Sequence, residues 1–346
     1  MTTDEKYMYR CLQLASRGES YVSPNPMVGA VIVHNEQIIG EGFHRKFGQA
    51  HAEPNAINSV QKKELFGEST LYVNLEPCSF YGKTPPCANL IVKSGIKRVV
   101  IGTIDPNPLV AGNGIKILEN AGIEVVCGIL ENECRELNKR FFTFQEKKRP
   151  YIILKWAQTS DGFIDKKRKS NDEQPLLISN EITRQLTHKF RSENQSIMVG
   201  SNTVLLDNPS LTVRYWTGKS PVRIILNKTG NIPENYNVFD NITDTIIFTE
   251  NPGIEKQHIS YEIFSFENND VEKLINLIYK RGIHSVLVEG GAQLLNTFID
   301  SGIWDEANVE VSTIKIDDGI KAPTLNATPL VIKVFDNHKW ISYKNT

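Results

Sequence analysis

The chain has 346 residues, more than the roughly 250–300 at which single hydrophobic cores stop growing, so two domains are expected. It is 40% hydrophobic, 23% charged and 9% aromatic, which excludes a disordered, collagen-like or disulfide-scaffold protein. Thirty-nine basic against forty acidic residues give a formal net charge of −1; the basic excess of a phosphate-backbone binder is missing, so no nucleic-acid partner is expected.

The charged start Met1–Tyr7 lacks the apolar region of a secretory signal. No stretch approaches the roughly 18 apolar residues of a membrane span. The expectation is a cytoplasmic protein with no membrane partner. Five cysteines are too few for a disulfide framework in a chain this long. In a reducing compartment, the cysteines that matter are metal ligands or reactive groups.

In chain order, residues 8–17 read as a short amphipathic helix. Strands at Val28–Val33 and Ile38–Phe43 flank His34-Asn35-Glu36, a hairpin-type connection. A helix follows from His51 to about Lys63, then a strand at Thr70–Leu75 running into Glu76-Pro77-Cys78. Cys87–Ser94 is helical and stops at Gly95; Arg98–Gly102 is a strand, Gly114–Ala121 a helix stopped by Gly122, and Ile123–Cys127 a strand. A hairpin followed by alternating helix and strand predicts a three-layer α/β domain with a mixed sheet.

The polar run Gln145–Pro150 reads as the boundary between domains at 1–146 and 147–346. Beyond it come a strand at Tyr151–Lys155, a helix near 179–191, and strands at Ser196–Gly200, Val222–Leu226 and Thr245–Thr249. Val271–Arg281 is a helix and His284–Glu289 a strand. Gly290-Gly291 leads into a helix over 292–301, and Asp305–Ile316 looks extended. This half is α/β as well, with no internal repeat.

The strongest chemical signal is His51-Ala52-Glu53 together with Pro77-Cys78 and Cys87. One imidazole and two thiolates form a three-ligand zinc set that leaves a fourth position open to water, the mark of a catalytic site. Zinc lowers the pKa of bound water toward 7. Glu53 is not needed as a ligand and can pass a proton from that water to a leaving amine. This is the zinc nucleobase-deaminase pattern, except that eight residues separate the cysteines where the general pattern has two. A closed structural site would need a fourth ligand, Cys127 or Cys134, and neither stands in a ligand-type motif. Cys11, Cys127 and Cys134 read as small buried hydrophobes.

Ser23-Pro-Asn-Pro-Met-Val-Gly-Ala30, Gly48-Gln-Ala-His-Ala-Glu53, Glu76-Pro-Cys-Ser-Phe-Tyr-Gly-Lys-Thr-Pro-Pro-Cys87 and Asp105-Pro-Asn-Pro108 closely resemble the deaminase half of the bifunctional riboflavin-biosynthesis deaminase/reductase family. The resemblance implies a cytidine-deaminase-like domain in which His51, Cys78 and Cys87 bind zinc and Glu53 shuttles protons. The implied substrate is a diaminopyrimidinone carrying a phosphoribosylamino group, converted to the uracil with release of ammonia. Asn25, His44, Lys83, Asp105 and Asn107 are candidates for holding it: an amide reads a ring edge, Lys83 pairs with phosphate, Asp105 with ribose hydroxyls. Asn25 and Asn107 also precede prolines and suit turns.

The second half has weaker bare motifs. Gly290-Gly291 between strand and helix can place a phosphate on a helix N-terminus, and no Gly-x-Gly-x-x-Gly marks a Rossmann domain. Lys155-Trp-Ala-Gln-Thr-Ser-Asp-Gly162, Val199–Arg214 and Leu287-Val-Glu-Gly-Gly291 resemble the reductase half of the same family. That implies a dihydrofolate-reductase-like α/β domain using NADPH to open a ribosyl group to a ribityl chain. By resemblance, Gln158, Thr203, Asp207 and the turn Gly291, Ala292, Gln293, Leu294, Leu295, Asn296 and Thr297 contact the dinucleotide. Ser179, Arg191, Leu211, Arg214 and Glu289 contact the substrate. Many relatives carry an aromatic residue ahead of Ser179, where Leu176 or Leu177 stands here, and the glycine-rich stretch expected after Asp305 is thinner.

The reading is a bifunctional enzyme of riboflavin synthesis with Zn2+ and NADPH as cofactors, acting on small phosphoribosylaminopyrimidines and forming a homo-oligomer. The alternative is a zinc deaminase of a nucleoside or RNA base with an accessory ligand-binding domain; a zinc-stabilised ligand-binding regulator is a third. The neutral charge and the two-domain resemblance disfavour the second, and Glu53 disfavours the third.

Overall fold

A computed structural model describes residues 1–80, 86–108, 110–267 and 270–345. The chain divides into two compact units, Met1–Lys148 and Arg149–Thr346.

The first unit contains α1 (Thr3–Ala15), β1 (Gly29–His34), β2 (Gln37–Phe43), α2 (Ala52–Ser59), β3 (Thr70–Val73), α3 (Cys87–Ser94), β4 (Arg98–Ile101), α4 (Asn113–Asn120), β5 (Glu124–Cys127), α5 (Glu131–Leu137) and α6 (Lys139–Lys147). The strands lie in the order β2-β1-β3-β4-β5. β1 is antiparallel to β2 and β3, while β3, β4 and β5 are parallel, so the sheet is mixed. Alternation along the strands feeds two cores. Ala30, Ile32, Leu71, Val73, Val99 and Ile101 pack with residues of α2, α3 and α4 on one face; Val31, Val33, Tyr72 and Val100 pack with α1 and Cys134 of α5 on the other. The result is the three-layer arrangement expected from the element pattern.

Several boundaries differ from the sequence reading. α1 starts at Thr3 and not at residue 8, because Thr2 and Glu5 form a reciprocal capping box with bonds of 3.2 and 2.6 Å. α2 ends at Ser59, where Val60 turns extended. The first half of the polar run Gln145–Pro150 belongs to a helix: α6 continues to Lys147 and stops where Lys148 adopts φ 53°. The helical part of the run lies on the solvated side of α6, which buries Phe142 and Thr143 on its other side. Cys127 is exposed and not a buried hydrophobe, because it ends the edge strand β5.

The second unit contains β6 (Tyr151–Gln158), β7 (Phe163–Asp165), α7 (Glu181–Glu193), β8 (Ser196–Gly200), α8 (Ser201–Asp207), β9 (Val222–Leu226), β10 (Thr245–Thr249), β11 (Ile259–Ile263), α9 (Val271–Lys280), β12 (Ser285–Val288), α10 (Ala292–Ser301), β13 (Glu306–Val311), β14 (Ile320–Lys321), β15 (Pro329–Phe335) and β16 (His338–Lys344). Its main sheet runs β11-β10-β9-β8-β12-β6-β13-β16-β15. The seven strands from β11 to β13 are parallel, and β16 and β15 close the sheet as an antiparallel hairpin. Ile152, Leu154, Met198 and Val288 face α9 and α10, and Ile197, Val199 and Ile225 pack with Val204 of α8 on the opposite side. Arg149 clamps the Asp305 carboxylate with two bonds of 2.6 and 2.7 Å, and Ile152 N–H donates to the same group at 2.8 Å, fixing where β6 and β13 begin.

Candidate functional site

In the first unit, α2 can approach β2 because Gly42 lacks a side chain: a Cβ there would stand 2.3 Å from the Ala56 amide nitrogen and 2.5 Å from the Ala52 carbonyl oxygen. This seats His51, the N-cap of α2. Cys87 is the first residue of α3, and Cys78 follows the end of β3. His51 Nδ1 lies 3.6 Å from Cys78 Sγ and 3.4 Å from Cys87 Sγ, and the three ligand atoms all fall within 4.8 Å of one another. One imidazole and two thiols at this separation fit zinc, with the fourth tetrahedral position left open. Neither Cys127 nor Cys134 joins the group.

The Cys78 thiol is drawn down to about 4, first by its hydrogen bond with Cys87 and, against burial, by that with His51. The Cys87 amide also donates to Cys78 Sγ at 3.3 Å. Cys87 shifts the opposite way, because it donates to Cys78 and is buried. Glu53 is 3% exposed, and burial, reinforced by the Cys78 charge, pushes its carboxyl up to about 7. A carboxyl poised there exchanges protons at working pH.

Asn25 and His44 adjoin this group. Asn25 Nδ2 donates to His44 Nε2 at 3.2 Å, His44 Nδ1 donates to the Ala50 carbonyl at 3.1 Å, and the His44 ring lies edge-on to His51 with centroids 5.4 Å apart. Burial lowers the His44 pKa. Asp105 Oδ1 accepts the Asn107 N–H at 2.8 Å, so the pair forms an Asx turn. Burial raises the Asp105 carboxyl to about 6. Lys83 lies outside the described residues. A residue not singled out in the sequence organises the loop: Glu76, 3% exposed, accepts the amides of Gly114 (2.9 Å) and Ile115 (3.3 Å) at Oε1, and of Gly112 (3.0 Å) and Asp105 (3.2 Å) at Oε2. It caps α4 from a distance, placing a carboxylate on the positive end of that helix.

In the second unit, β8 and β12 are parallel neighbours. Each leads into a helix whose N-cap is a glycine, Gly200 for α8 and Gly291 for α10, so neither cap residue brings a side-chain acceptor of its own to the helix start. Both helix starts line one cavity of about 810 Å³, a volume typical of cofactor sites. Adjacent helix N-termini suit the phosphates of a dinucleotide. Thr203 lines the cavity and takes the Gly291 N–H at 3.1 Å. Asp207 also lines it and is ion-paired with Arg168. The run Gly291–Thr297 splits by helical turn: Gly291, Ala292, Gln293, Leu294 and Thr297 face the cavity, Leu295 is in the core, and Asn296 is exposed. Gln158 is outside the lining and accepts the Trp156 Nε1 hydrogen at 2.8 Å.

On the substrate side, Ser179 and Glu289 line the cavity, as do Leu176 and Leu177. Arg191 grips Glu289 with bonds of 3.1 and 2.6 Å. Burial would raise the Glu289 carboxyl, but Arg191 holds it low. Leu211 has φ 55° and its side chain belongs to a hydrophobic core. Arg214 is exposed, off the cavity lining, and its N–H donates to His188 Nδ1 at 3.0 Å. Sequence reasoning passed over Lys155, a cavity-lining lysine only 7% exposed whose pKa burial lowers against the pull of Glu289 and Glu310. Its place at the head of the Lys155–Gly162 motif was the available signal.

Comparison with known proteins agrees over both units. The family profile described as cytidine and deoxycytidylate deaminase zinc-binding region matches residues 1–103, and that described as RibD C-terminal domain matches residues 150–314. The chain is 43% identical over 331 residues to riboflavin biosynthesis protein RibD of Bacillus amyloliquefaciens, covering 93% of this chain and 87% of the relative. It is 40% identical to the protein of the same name from Aquifex aeolicus over 322 residues, 92% of this chain and 89% of that one. The crystal structure of a diaminohydroxyphosphoribosylaminopyrimidine deaminase/5-amino-6-(5-phosphoribosylamino)uracil reductase from Thermotoga maritima superposes with a TM-score of 0.89 at 38% identity, covering 99% of each chain.

Proposed function

This chain belongs to the bifunctional riboflavin-biosynthesis deaminase/reductase family, and from that membership we propose how its two units divide the work. It is a zinc-using deaminase joined to an NADPH-using reductase. The unit Met1–Lys148 deaminates 2,5-diamino-6-(5-phosphoribosylamino)pyrimidin-4(3H)-one. The unit Arg149–Thr346 reduces the ribosyl group of the resulting uracil to ribityl.

The observation that carries the first assignment is the convergence of His51, Cys78 and Cys87 within 4.8 Å beside the buried carboxyl of Glu53. These three side chains hold the metal, and zinc, when bound, supplies the Lewis acidity that makes water a nucleophile near neutral pH. Glu53 takes the proton at its carboxylate and delivers it to the departing amine. Asn25 and His44 read the ring edge, and Asp105 meets the ribose hydroxyls.

For the second assignment, the starts of α8 and α10 bind the phosphates of NADPH, which supplies the hydride. Thr203, Asp207 and the cavity-facing part of Gly291–Thr297 orient it. Lys155, Ser179 and the Arg191–Glu289 pair hold the sugar-bearing substrate; a buried, cavity-lining lysine with a perturbed pKa is what such a site uses. The deciding experiment is incubation with the diaminopyrimidinone phosphoriboside, with and without NADPH, followed by product mass. Deaminated product without NADPH, and a product two hydrogens heavier than that uracil with it, is expected; ammonia release without any reduced product would remove the second assignment.

No helix among the described residues is long and apolar enough to cross a membrane. All five cysteines are free, which suits a reducing cytoplasm. A homo-oligomer is supported by β15, the edge strand of the large sheet. Ile332 and Val334 are 57% and 64% exposed and share one face of that strand, while Leu330, 66% exposed, stands where the register against β16 shifts. Antiparallel pairing with a second copy about Ile332 sets Val331 against Lys333, so no like charges meet.

A further inference from the structure

Behind Ser179, which lines the substrate side of the reductase cavity, lies a fully buried carboxylate that no motif marked. Glu310 lies on β13 and is 0% exposed. Three side chains converge on it: Ser179 Oγ donates to Oε2 at 2.6 Å, and Thr183 Oγ1 and His338 Nδ1 each donate to Oε1 at 2.7 Å. Ser179 precedes α7, Thr183 lies within it, and His338 opens β16. One carboxylate therefore ties three segments together.

An ionised carboxylate accepts hydrogen bonds and donates none, whereas a serine hydroxyl has a single proton to give. The short bond to Glu310 uses that proton. What Ser179 still offers to the cavity it lines is its lone pairs. Resting on the reading of this cavity as the reductase substrate site, we infer that Glu310 is a positioning residue that fixes Ser179 as a hydrogen-bond acceptor, so that Ser179 reads a donor on the substrate, a sugar hydroxyl or ring N–H, and not its phosphate. A phosphate oxygen at Ser179 Oγ would leave one proton between two anions, and the unmatched acceptor would be penalised by desolvation and repulsion.

The test measures reductase KM and kcat for 5-amino-6-(5-phosphoribosylamino)uracil and for its dephosphorylated counterpart. The full-length wild type, Ser179→Ala, Glu310→Gln and the double variant are compared. NADPH affinity is followed by fluorescence, and ammonia release reports on the other unit. Ser179→Ala is expected to raise KM roughly tenfold, as loss of one hydrogen bond does, by the same factor on both substrates, with kcat and NADPH affinity moving less. Glu310→Gln should raise KM in the same sense, and the double variant should be no worse than Ser179→Ala alone, because both changes act through one hydroxyl. If the penalty of Ser179→Ala vanishes on the dephosphorylated substrate, Ser179 grips phosphate and the inference is wrong. Full additivity in the double variant also overturns it, since Glu310 then acts elsewhere. If Ser179→Ala changes neither KM, Ser179 does not touch the substrate and the inference falls, while the reading of the cavity is decided separately by the loss of reduction in Glu289→Ala. Should the Glu310 variants be unstable, the two-substrate comparison on Ser179→Ala alone still decides.

Discussion

Arg191 and Glu289 face each other as a two-pronged ion pair, their side chains only 12% and 10% exposed, at the wall of the reductase cavity. Arg191 also donates to the Thr212 carbonyl at 3.3 Å, which links the pair to the segment ending at Arg214. Each partner is the other's main compensation for burial. Removing one leaves an unpaired charge in a poorly hydrated place, a change that typically costs about 3–5 kcal/mol. Glu289→Ala should therefore lower the melting temperature and abolish measurable reduction while ammonia release persists. Calorimetry and the two activity assays check this, and a Glu289→Ala enzyme with wild-type KM would remove the pair from the site.

Glu53→Gln should retain zinc and lose deamination. The amide preserves shape but cannot carry a proton, a role worth about 10²–10⁴-fold in rate. Metal analysis and ammonia release on the same preparation give the answer; near-normal ammonia release would sink the assignment.

Cys78→Ser and Cys87→Ser should each deplete zinc and deamination while sparing reduction of the deaminated substrate. The ligands all lie in Met1–Lys148, and the second unit has its own cores. Chelation of the wild type should give the same split. Parallel loss of both activities would show that the metal organises the entire chain.

His188 supplies a pH test. Burial first, then Arg191 and Arg214, lower its pKa from 6.5 to about 4, and its Nδ1 accepts the Arg214 N–H. A group whose folded pKa is depressed stabilises fully above the unfolded value. That contribution is lost progressively as pH falls from about 6.5 toward about 4. His188→Asn, which keeps an acceptor near the Nδ1 position without a titrating ring, should flatten the decline of melting temperature over that window. Identical declines in both proteins would dismiss His188 as the titrating group.

Ile332→Lys should shift the protein to a smaller species in analytical ultracentrifugation, because the substitution sets two lysines opposite one another at the centre of the expected strand pair. An unchanged sedimentation profile would exclude β15 as the contact.

The zinc trio was legible in the sequence because histidine and cysteine carry specific chemistry wherever they stand, and His51, Cys78 and Cys87 came in the deaminase order. The first three-layer domain was legible through its strand alternation and through stop signals such as Gly95, which has φ 85° at the end of α3. Other features depend on contacts that a linear reading does not contain. Gly291–Thr297 looked like one continuous binding turn, but a helix rotates about 100° per residue, which buries Leu295 and exposes Asn296. Lys155 heads a motif visible in the sequence, but its burial, which marks it as more than a surface lysine, depends on the fold. The hairpin β15/β16 was missed although Leu330–Phe335 is rich in β-branched residues and Asp336, at φ 54°, provides its turn.

Glu76 couples two things usually treated separately. Its carboxylate lies two positions before Cys78 in the chain, yet the amides it accepts belong mainly to the start of α4. A Cβ on Gly114 would come within 2.1 Å of the Pro77 carbonyl oxygen, so the two segments touch backbone to backbone. Fraying at the first turn of α4 therefore slackens the stem of a metal-ligand loop that is distant in sequence. Zinc release should follow the opening rate of that helical turn, so deuterium uptake at Gly112 and Gly114 becomes a clock for metal loss.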